Sequence, residues 1–303
     1  MKLPVLAALA VAGAGAAALG YARFIEPGRL EVRTLDLTLR GLAPAFDGFR
    51  ILHLSDLHAG ASMPERRMGE IAARARAIQP DLIAFTGDFV TGSANYDAVA
   101  LGTFLNALSA PDGVFAVLGN HDHVGHSHVL RQVLRASGVT ELENQVHTLH
   151  RDGVALHIAG VDSLYHRKAR LDAVLAALPN DAAPAILLAH EPDIADVVAP
   201  SGRIALQLSG HAHGGQVALP GGLTALGLPE HGRRYIDGLY LVEKMFVYAN
   251  RGLGMTSAPL RFNSRPEITV ITLRAPAGSA PAAAPAPKRR SRRKSDSNPA
   301  PEA

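Results

Sequence analysis

Residues of metal-ligand type stand directly behind five short apolar runs. Asp56 and His58 follow ILHLS (51–55), and Asp88 follows LIAFT (82–86) through Gly87. Asn120, His121 and Asp122 follow VFAVL (114–118) through Gly119, His190 and Glu191 follow AILLA (185–189), and His211 and His213 follow IALQLS (204–209) through Gly210. Carboxylates, imidazoles and one amide suit divalent ions of borderline hardness such as Mn, Fe, Zn, Co or Ni. The 303-residue chain has no cysteine, which argues against copper(I), an iron–sulfur cluster or a disulfide scaffold. Any one of these short patterns is weak, because a lone histidine is ordinarily a hydrogen-bonded structural residue. Their order and their shared position behind apolar runs make them a constellation. His121 and Asp122 follow Asn120 at once, whereas His123, His126 and His128 read as a polar loop at the rim rather than a third metal site. His53, His147, His150, His157, His166 and His231 have no motif and default to structural or surface roles.

The apolar runs, together with LHIAG (156–160), are short and continuous, the pattern of strands buried on both faces. Between them, 64–79 opens with Pro64, stops before Pro80 and puts Met68, Ile71, Ala72, Ala75 and Ile78 on one helical face. Residues 95–109, 127–137 and 171–178 are further helix candidates. YLVEKMFVYANRG and EITVITLR read as antiparallel strands, so the α/β layers should hold mixed sheets. Ligands in α/β sheets gather at strand ends, so segments spread over residues 56–213 can converge on one site. The glycines before Asp88, Asn120 and His211 fit turns and close approach of backbone to the ions.

The series DLH (56–58), GD (87–88), GNHD (119–122), AH (189–190) and GHAH (210–213) resembles the calcineurin-like metallophosphoesterases over about residues 50–274. The resemblance implies a four-layer sandwich, two mixed β-sheets flanked by helices, holding two divalent metal ions. It places Asp56, His58 and His213 on the first ion, Asn120, His190 and His211 on the second, and Asp88 between them. His121 takes the part of general acid or transition-state hydrogen-bond donor, with Asp122 as its orienting partner. Such a pair of ions activates water and polarises phosphoryl oxygens.

GHAHGGQ (210–216), NRGLG (250–254) and RFNSRPEITVITL (261–273) further resemble the membrane-associated YkuE/YaeI-type branch. That likeness implies hydrolysis of the pyrophosphate of a nucleotide-linked or phosphorylated lipid such as UDP-2,3-diacylglucosamine, an intermediate of lipid A synthesis, to a lipid monophosphate and UMP. The alternative is an exported or soluble-substrate phosphodiesterase or phosphatase, since the metal motif does not select a substrate. The segment QVALPGGLTALGLPEHGRR (216–234) sets Leu219, Leu223, Leu226 and Leu228 among glycines and prolines. It is expected to border the metal site and meet acyl chains, with Arg233, Arg234 and Arg251 near substrate phosphates; an ordinary hairpin packing its leucines on the core is the competing reading.

Charge separates the chain into regions. The sequence pI is 9.3 and the formal charge +3, but the tail 275–303 holds six basic residues against Asp296 and Glu302, leaving 23–274 at −2. The body therefore lacks the basic surface that a nucleic-acid substrate would require. The Pro/Ala-rich tail is expected to be disordered, its basic cluster contributing about 1 kcal/mol per residue near an anionic leaflet. Residues 1–22 read as a membrane anchor or a cleaved signal segment, 23–49 as a connector with the first strand, and 50–274 as the catalytic domain. Arg23, Arg29, Arg33 and Arg40 behind the apolar run favour a catalytic domain on the cytoplasmic face of the inner membrane, whereas cleavage would export it.

Overall fold

The computed structural model describes residues 3–60, 62–92, 96–125 and 127–278; the polybasic cluster at 288–294, His126 and Asn95 lie outside them. The strands in chain order are β1 (Glu31–Thr38), β2 (Arg50–Leu54), β3 (Leu82–Thr86), β4 (Val114–Val117), β5 (Val139–Glu141) and β6 (Gln145–Arg151). They continue with β7 (Val154–Gly160), β8 (Ala185–Leu188), β9 (Leu206–Ser209), β10 (Gly238–Val242), β11 (Met245–Ala249) and β12 (Glu267–Arg274). The α-helices are α1 (Leu3–Gly20), α2 (Glu65–Ile78), α3 (Ala98–Asn106), α4 (Ser127–Ala136), α5 (Leu171–Ala177) and α6 (Ala195–Val198).

Two six-stranded sheets form, in the orders β1-β12-β2-β3-β4-β5 and β10-β11-β9-β8-β7-β6. Both are mixed. The β2-β3-β4-β5 and β7-β8-β9-β11 ladders are parallel, while β12 lies antiparallel to β2 and β10 antiparallel to β11. The alternation of side chains along each strand builds the layers. On β2, Leu52 and Leu54 join Ile71, Leu101 and Leu134 of α2, α3 and α4, whereas Ile51 joins Ile158, Leu188 and Leu208 of the other sheet. On the far side, Ala159 and Leu187 pack with Val174 of α5 and Val198 of α6. Helix, sheet, sheet, helix is the four-layer sandwich, and burial on both faces is why β2, β3, β4, β8 and β9 read as unbroken apolar runs.

Two pairings differ from expectation: β11 is antiparallel only to β10 and runs parallel to β9, and β12 is antiparallel only to β2 and runs parallel to β1 along its whole length, from Glu31↔Glu267 to Thr38↔Arg274. The apolar N-terminal run is helical over Leu3–Gly20 and turns into the domain through Tyr21–Ile25 and Glu26–Gly28. Among the residues whose side chains are described, however, no helix is long and apolar enough to cross a membrane.

Candidate metal centre

The parallel strands of both sheets deliver their C-terminal ends to one place. β2 leads to Asp56 and His58, β3 to Asp88, β4 to Asn120, β8 to His190, and β9 to His211 and His213. The backbone turns sharply there: Asp56, His58, Asp88, His211 and His213 all have positive φ, between 47° and 68°. A non-glycine residue in that region costs about 1–3 kcal/mol and persists where its surroundings over-determine it. Here Asp56 N–H donates to Gly87 O at 2.9 Å and His58 N–H to Asp88 O at 3.0 Å, splicing neighbouring strand ends together. Two glycines serve close approach instead. A Cβ on Gly119 would lie 2.2 Å from Asp88 Oδ1, and one on Gly210 would lie 1.9 Å from Ser55 Oγ and 2.1 Å from Asp56 Oδ2.

Six of the seven expected ligands are buried, and Asn120 is half-buried. They fall into two groups, Asp56–His58–His213 and Asp88–His190–His211, each with its ligand atoms within 4.8 Å of one another. In the first, His58 Nε2 and His213 Nε2 are 3.2 Å apart, and His213 Nε2 is 3.2 Å from Asp56 Oδ1. In the second, His190 Nε2 stands 3.3 Å from Asp88 Oδ2, 3.2 Å from Asn120 Oδ1 and 3.1 Å from His211 Nδ1. Asp88 Oδ2 is also 3.5 Å from His58 Nε2, so this carboxylate lies between the two groups.

The outer ring nitrogens of the second group are already used. His190 Nδ1–H donates to Thr86 O at 2.7 Å and His211 Nε2–H to Glu230 O at 2.7 Å, which turns His190 Nε2 and His211 Nδ1 inward. Lone pairs crowded this closely in a buried site require a shared cation. Protons partly fill that role: burial disfavours a charged His190, but Asp88 overrides burial and lifts its pKa well above 6.5. Burial would likewise raise Asp56 and Asp88, yet the imidazoles hold both well below the ordinary carboxylate range. His58 goes the other way, burial pulling it to about 3, so it is a neutral nitrogen ready to ligate. The donor set and its ionisation fit two divalent ions.

The calcineurin-like phosphoesterase family matches residues 49–215, more than half of the sequence. The chain belongs to this family. It is similar to the uncharacterized metallophosphoesterase YkuE of Bacillus subtilis, 37% identical over 260 residues covering 84% of this chain and 89% of the relative. The phosphodiesterase YaeI of Escherichia coli is 31% identical over 279 residues, 88% of this chain and 97% of its own. The UDP-2,3-diacylglucosamine pyrophosphatase LpxG of Chlamydia muridarum is 28% identical over 313 residues, 83% and 91% of the two chains. The protein is therefore a metallophosphoesterase, a hydrolase, with two candidate metal sites.

In this phosphoesterase a cavity of about 400 Å³ is lined by Asp88, Asn120, His121, His211 and His213 together with Leu226, Leu228 and Pro229. His121 is half-buried; its N–H donates to Asp88 Oδ1 at 2.9 Å and its Nε2 lies 3.5 Å from Thr256 Oγ1. Asp122 is spent elsewhere. Its Oδ1 accepts Val90 N–H at 3.1 Å and its Oδ2 accepts Gly119 N–H at 2.9 Å, so it secures the turn that carries Asn120 and His121 rather than the His121 ring. Burial and the Asp88 charge raise its pKa well above the ordinary value.

The three arginines are not brought to the cavity. Arg251 is buried, with Nε 2.8 Å from Glu267 Oε2 and Nη2 2.8 Å from Glu31 Oε2, tying β1 to β12. Arg234 pairs with Asp196 at 2.5 Å, and the Arg233 and Arg234 N–H groups donate to the Asp193 carboxylate. Neither of these two lines the cavity. His123 does not line the cavity; its side chain is buried, hydrogen-bonded to Asp162 at 2.6 Å and Lys168 at 3.0 Å.

Two further residues shape the site in ways that no motif at their own positions marks. Glu191, next to a ligand, accepts from Ser163 Oγ, Leu164 N and Tyr165 N at 2.6–3.2 Å and so holds the turn that brings Tyr165 to the cavity. Arg261 is fully buried; its guanidinium donates to the carbonyls of Arg251, Gly252, Gly254 and Ser264 and lies 3.4 Å from His213 Nδ1. Burial pulls its pKa to about 9. The available signal was NRGLG itself, whose two glycines leave carbonyls in a turn that needs a donor.

Proposed function

We propose that this metallophosphoesterase hydrolyses a phosphodiester or pyrophosphate bond in a lipid-linked substrate, of which UDP-2,3-diacylglucosamine is the type. One observation carries the reading: the same cavity is lined by candidate metal ligands and by Leu226, Leu228 and Pro229, so a phosphoryl group and an apolar chain can be held together. The relative named for UDP-2,3-diacylglucosamine supports the same substrate class.

Two divalent ions held by Asp56, His58 and His213 and by Asp88, Asn120, His190 and His211 would supply the activated water and the charge that stabilises the phosphoryl oxygens. The chain does the rest. Thr86 O and Glu230 O fix the tautomers of His190 and His211, so the ligand geometry exists before substrate arrives. His121, on the cavity wall, gives its proton to the oxygen that leaves as the P–O bond breaks. Asp122, through Gly119 and Val90, holds the turn that aims it. Leu226 and Leu228, which line the cavity, offer an apolar surface to the part of the substrate that is not hydrolysed.

The Arg23, Arg29, Arg33 and Arg40 series supports a catalytic domain on the cytoplasmic face of the inner membrane. Protease accessibility in intact spheroplasts tests this; digestion from outside would select the exported form. For the substrate, the Mn-loaded protein in detergent is assayed on UDP-2,3-diacylglucosamine, a soluble phosphodiester and a phosphomonoester, with Asp88→Ala as the blank. Release of UMP and lipid monophosphate well above the other rates is expected. Turnover of the soluble diester alone would select the reading that the 31% identical phosphodiesterase favours.

A further inference from the structure

The loop that walls the cavity and the base of the N-terminal helix are joined through one short segment. Tyr21 packs edge-on against Phe262 with ring centroids 6.2 Å apart, and Arg261 N–H donates to Ala22 O at 2.9 Å. Ser264 N–H donates to the buried Glu26 carboxylate at 2.6 Å. The same segment pairs with the loop: Phe262 bridges Val217, with Phe262 N–H donating to Gln216 O at 3.0 Å and Ala218 N–H to Phe262 O at 2.9 Å. The apolar helix α1 thus leaves the domain from the segment that supports the loop.

Both partners carry apolar side chains into solvent. Phe24 is 77% exposed and Ile25 48% at the helix base, and Leu223 is 66%, Leu226 44% and Leu219 38% exposed on the loop. The competing sequence expectation, leucines packed on the core, fails for these three. In the same two segments Arg23, Arg29 and Arg233 are exposed, Arg234 pairs with Asp196, and Glu230 is the one acid of the loop. Exposed apolar residues interleaved with guanidinium groups suit the headgroup layer of an anionic bilayer, where the apolar tips enter the acyl boundary and the charges stay with phosphates.

We infer that Leu219, Leu223 and Leu226, together with Phe24 and Ile25, form one surface that rests in the interface of an anionic lipid bilayer. The cavity then opens at the height of lipid headgroups. This deepens the lipid-linked reading of the site, because a headgroup phosphate reaches the metals while its acyl chains stay in the membrane.

The chain contains no tryptophan, so a single introduced indole reports one position. Full-length L223W, F24W and V99W proteins are mixed with phosphatidylcholine/phosphatidylglycerol vesicles whose acyl chains carry bromine. Val99, 78% exposed on α3, is the reference away from this surface. Emission of L223W and F24W should shift to the blue and be quenched, more strongly than on phosphatidylcholine alone, while V99W does neither. Quenching of F24W without L223W overturns the shared surface, and equal quenching on neutral vesicles overturns the anionic assignment. A concentration-dependent blue shift of L223W without vesicles assigns the leucines to a second copy and also overturns it. Hydrolysis in detergent is measured separately: turnover without quenching leaves the substrate reading standing, and quenching without turnover leaves only the surface.

Discussion

The floor and the rim of the cavity are built on opposite terms. On the floor, ligands with left-handed backbone are buried at the ends of central strands, and their outer atoms are committed to backbone partners such as Thr86 O and Glu230 O. On the rim, the loop through Leu219, Leu223 and Leu226 exposes its side chains and is held mainly by backbone bonds to Phe262 and within itself. The floor can be stiff because metal chemistry is indifferent to what the phosphoryl group is attached to. The rim contacts that attachment, so it is where the substrate is chosen.

Four perturbations separate the two regions. Asp88→Ala strikes between both ligand groups and should remove metal and activity together, a loss beyond the roughly 10³-fold that follows removal of one electrostatic donor. Metal analysis of the purified variant checks it, and full metal content would break the assignment of Asp88 to both groups. His121→Ala should lower kcat by about 10²–10⁴-fold, the span for a lost general acid, while metal content stays near that of the parent. Equal metal loss in the two variants would erase the distinction between ligand and acid.

The third perturbation is pH. Because Asp88 holds the His190 pKa above 6.5 without metal, metal entry must displace that proton. Apparent affinity should fall by about tenfold for each unit of acidification below the raised value, read by calorimetry in buffers of different ionisation enthalpy. The sign for the metal-free fold is the reverse. A raised folded pKa stabilises fully below the unfolded value near 6.5 and is lost as pH climbs through the folded one. The metal-free Tm should therefore decline across that window while the loaded protein's does not. The smallest effect belongs to the rim: serine at Leu219, Leu223, Leu226 and Leu228 should reduce turnover of a lipid-linked pyrophosphate several-fold, with stability changes within about 0.5 kcal/mol at each exposed position. A soluble diester should be hydrolysed as before; parallel loss on both would mean that floor and rim are not independent.

The candidate ligands were legible in the sequence because each follows closely on a strand buried on both faces, and such strands read as short, mainly apolar runs. What was misjudged involves partners far apart or directions set by a single turn. Arg251 was assigned to substrate, yet its partner Glu31 is 220 residues away, a separation that no local pattern reveals. Asp122 adjoins His121, but the tight 121–123 turn points its carboxylate back to Gly119 and Val90. The glycines at the ligand turns serve the turns and close approach expected of them, Gly87 with φ 86° and Gly119 and Gly210 by making room; no sequence pattern marks that Asp56, His58, Asp88, His211 and His213 are themselves left-handed.

The parallel pairing of β12 with β1 also governs the order of events during synthesis. The last strand sits between the first and the second, so β1 has no neighbour within its sheet until residues 267–274 have left the ribosome. The apolar helix ahead of β1 emerges before it and waits through more than 200 residues of translation before its base can dock on 261–264. Contacts of such long range form slowly. A nascent chain of this protein therefore carries that apolar segment without its docking partner for most of the synthesis of the domain, a window in which it is open to aggregation.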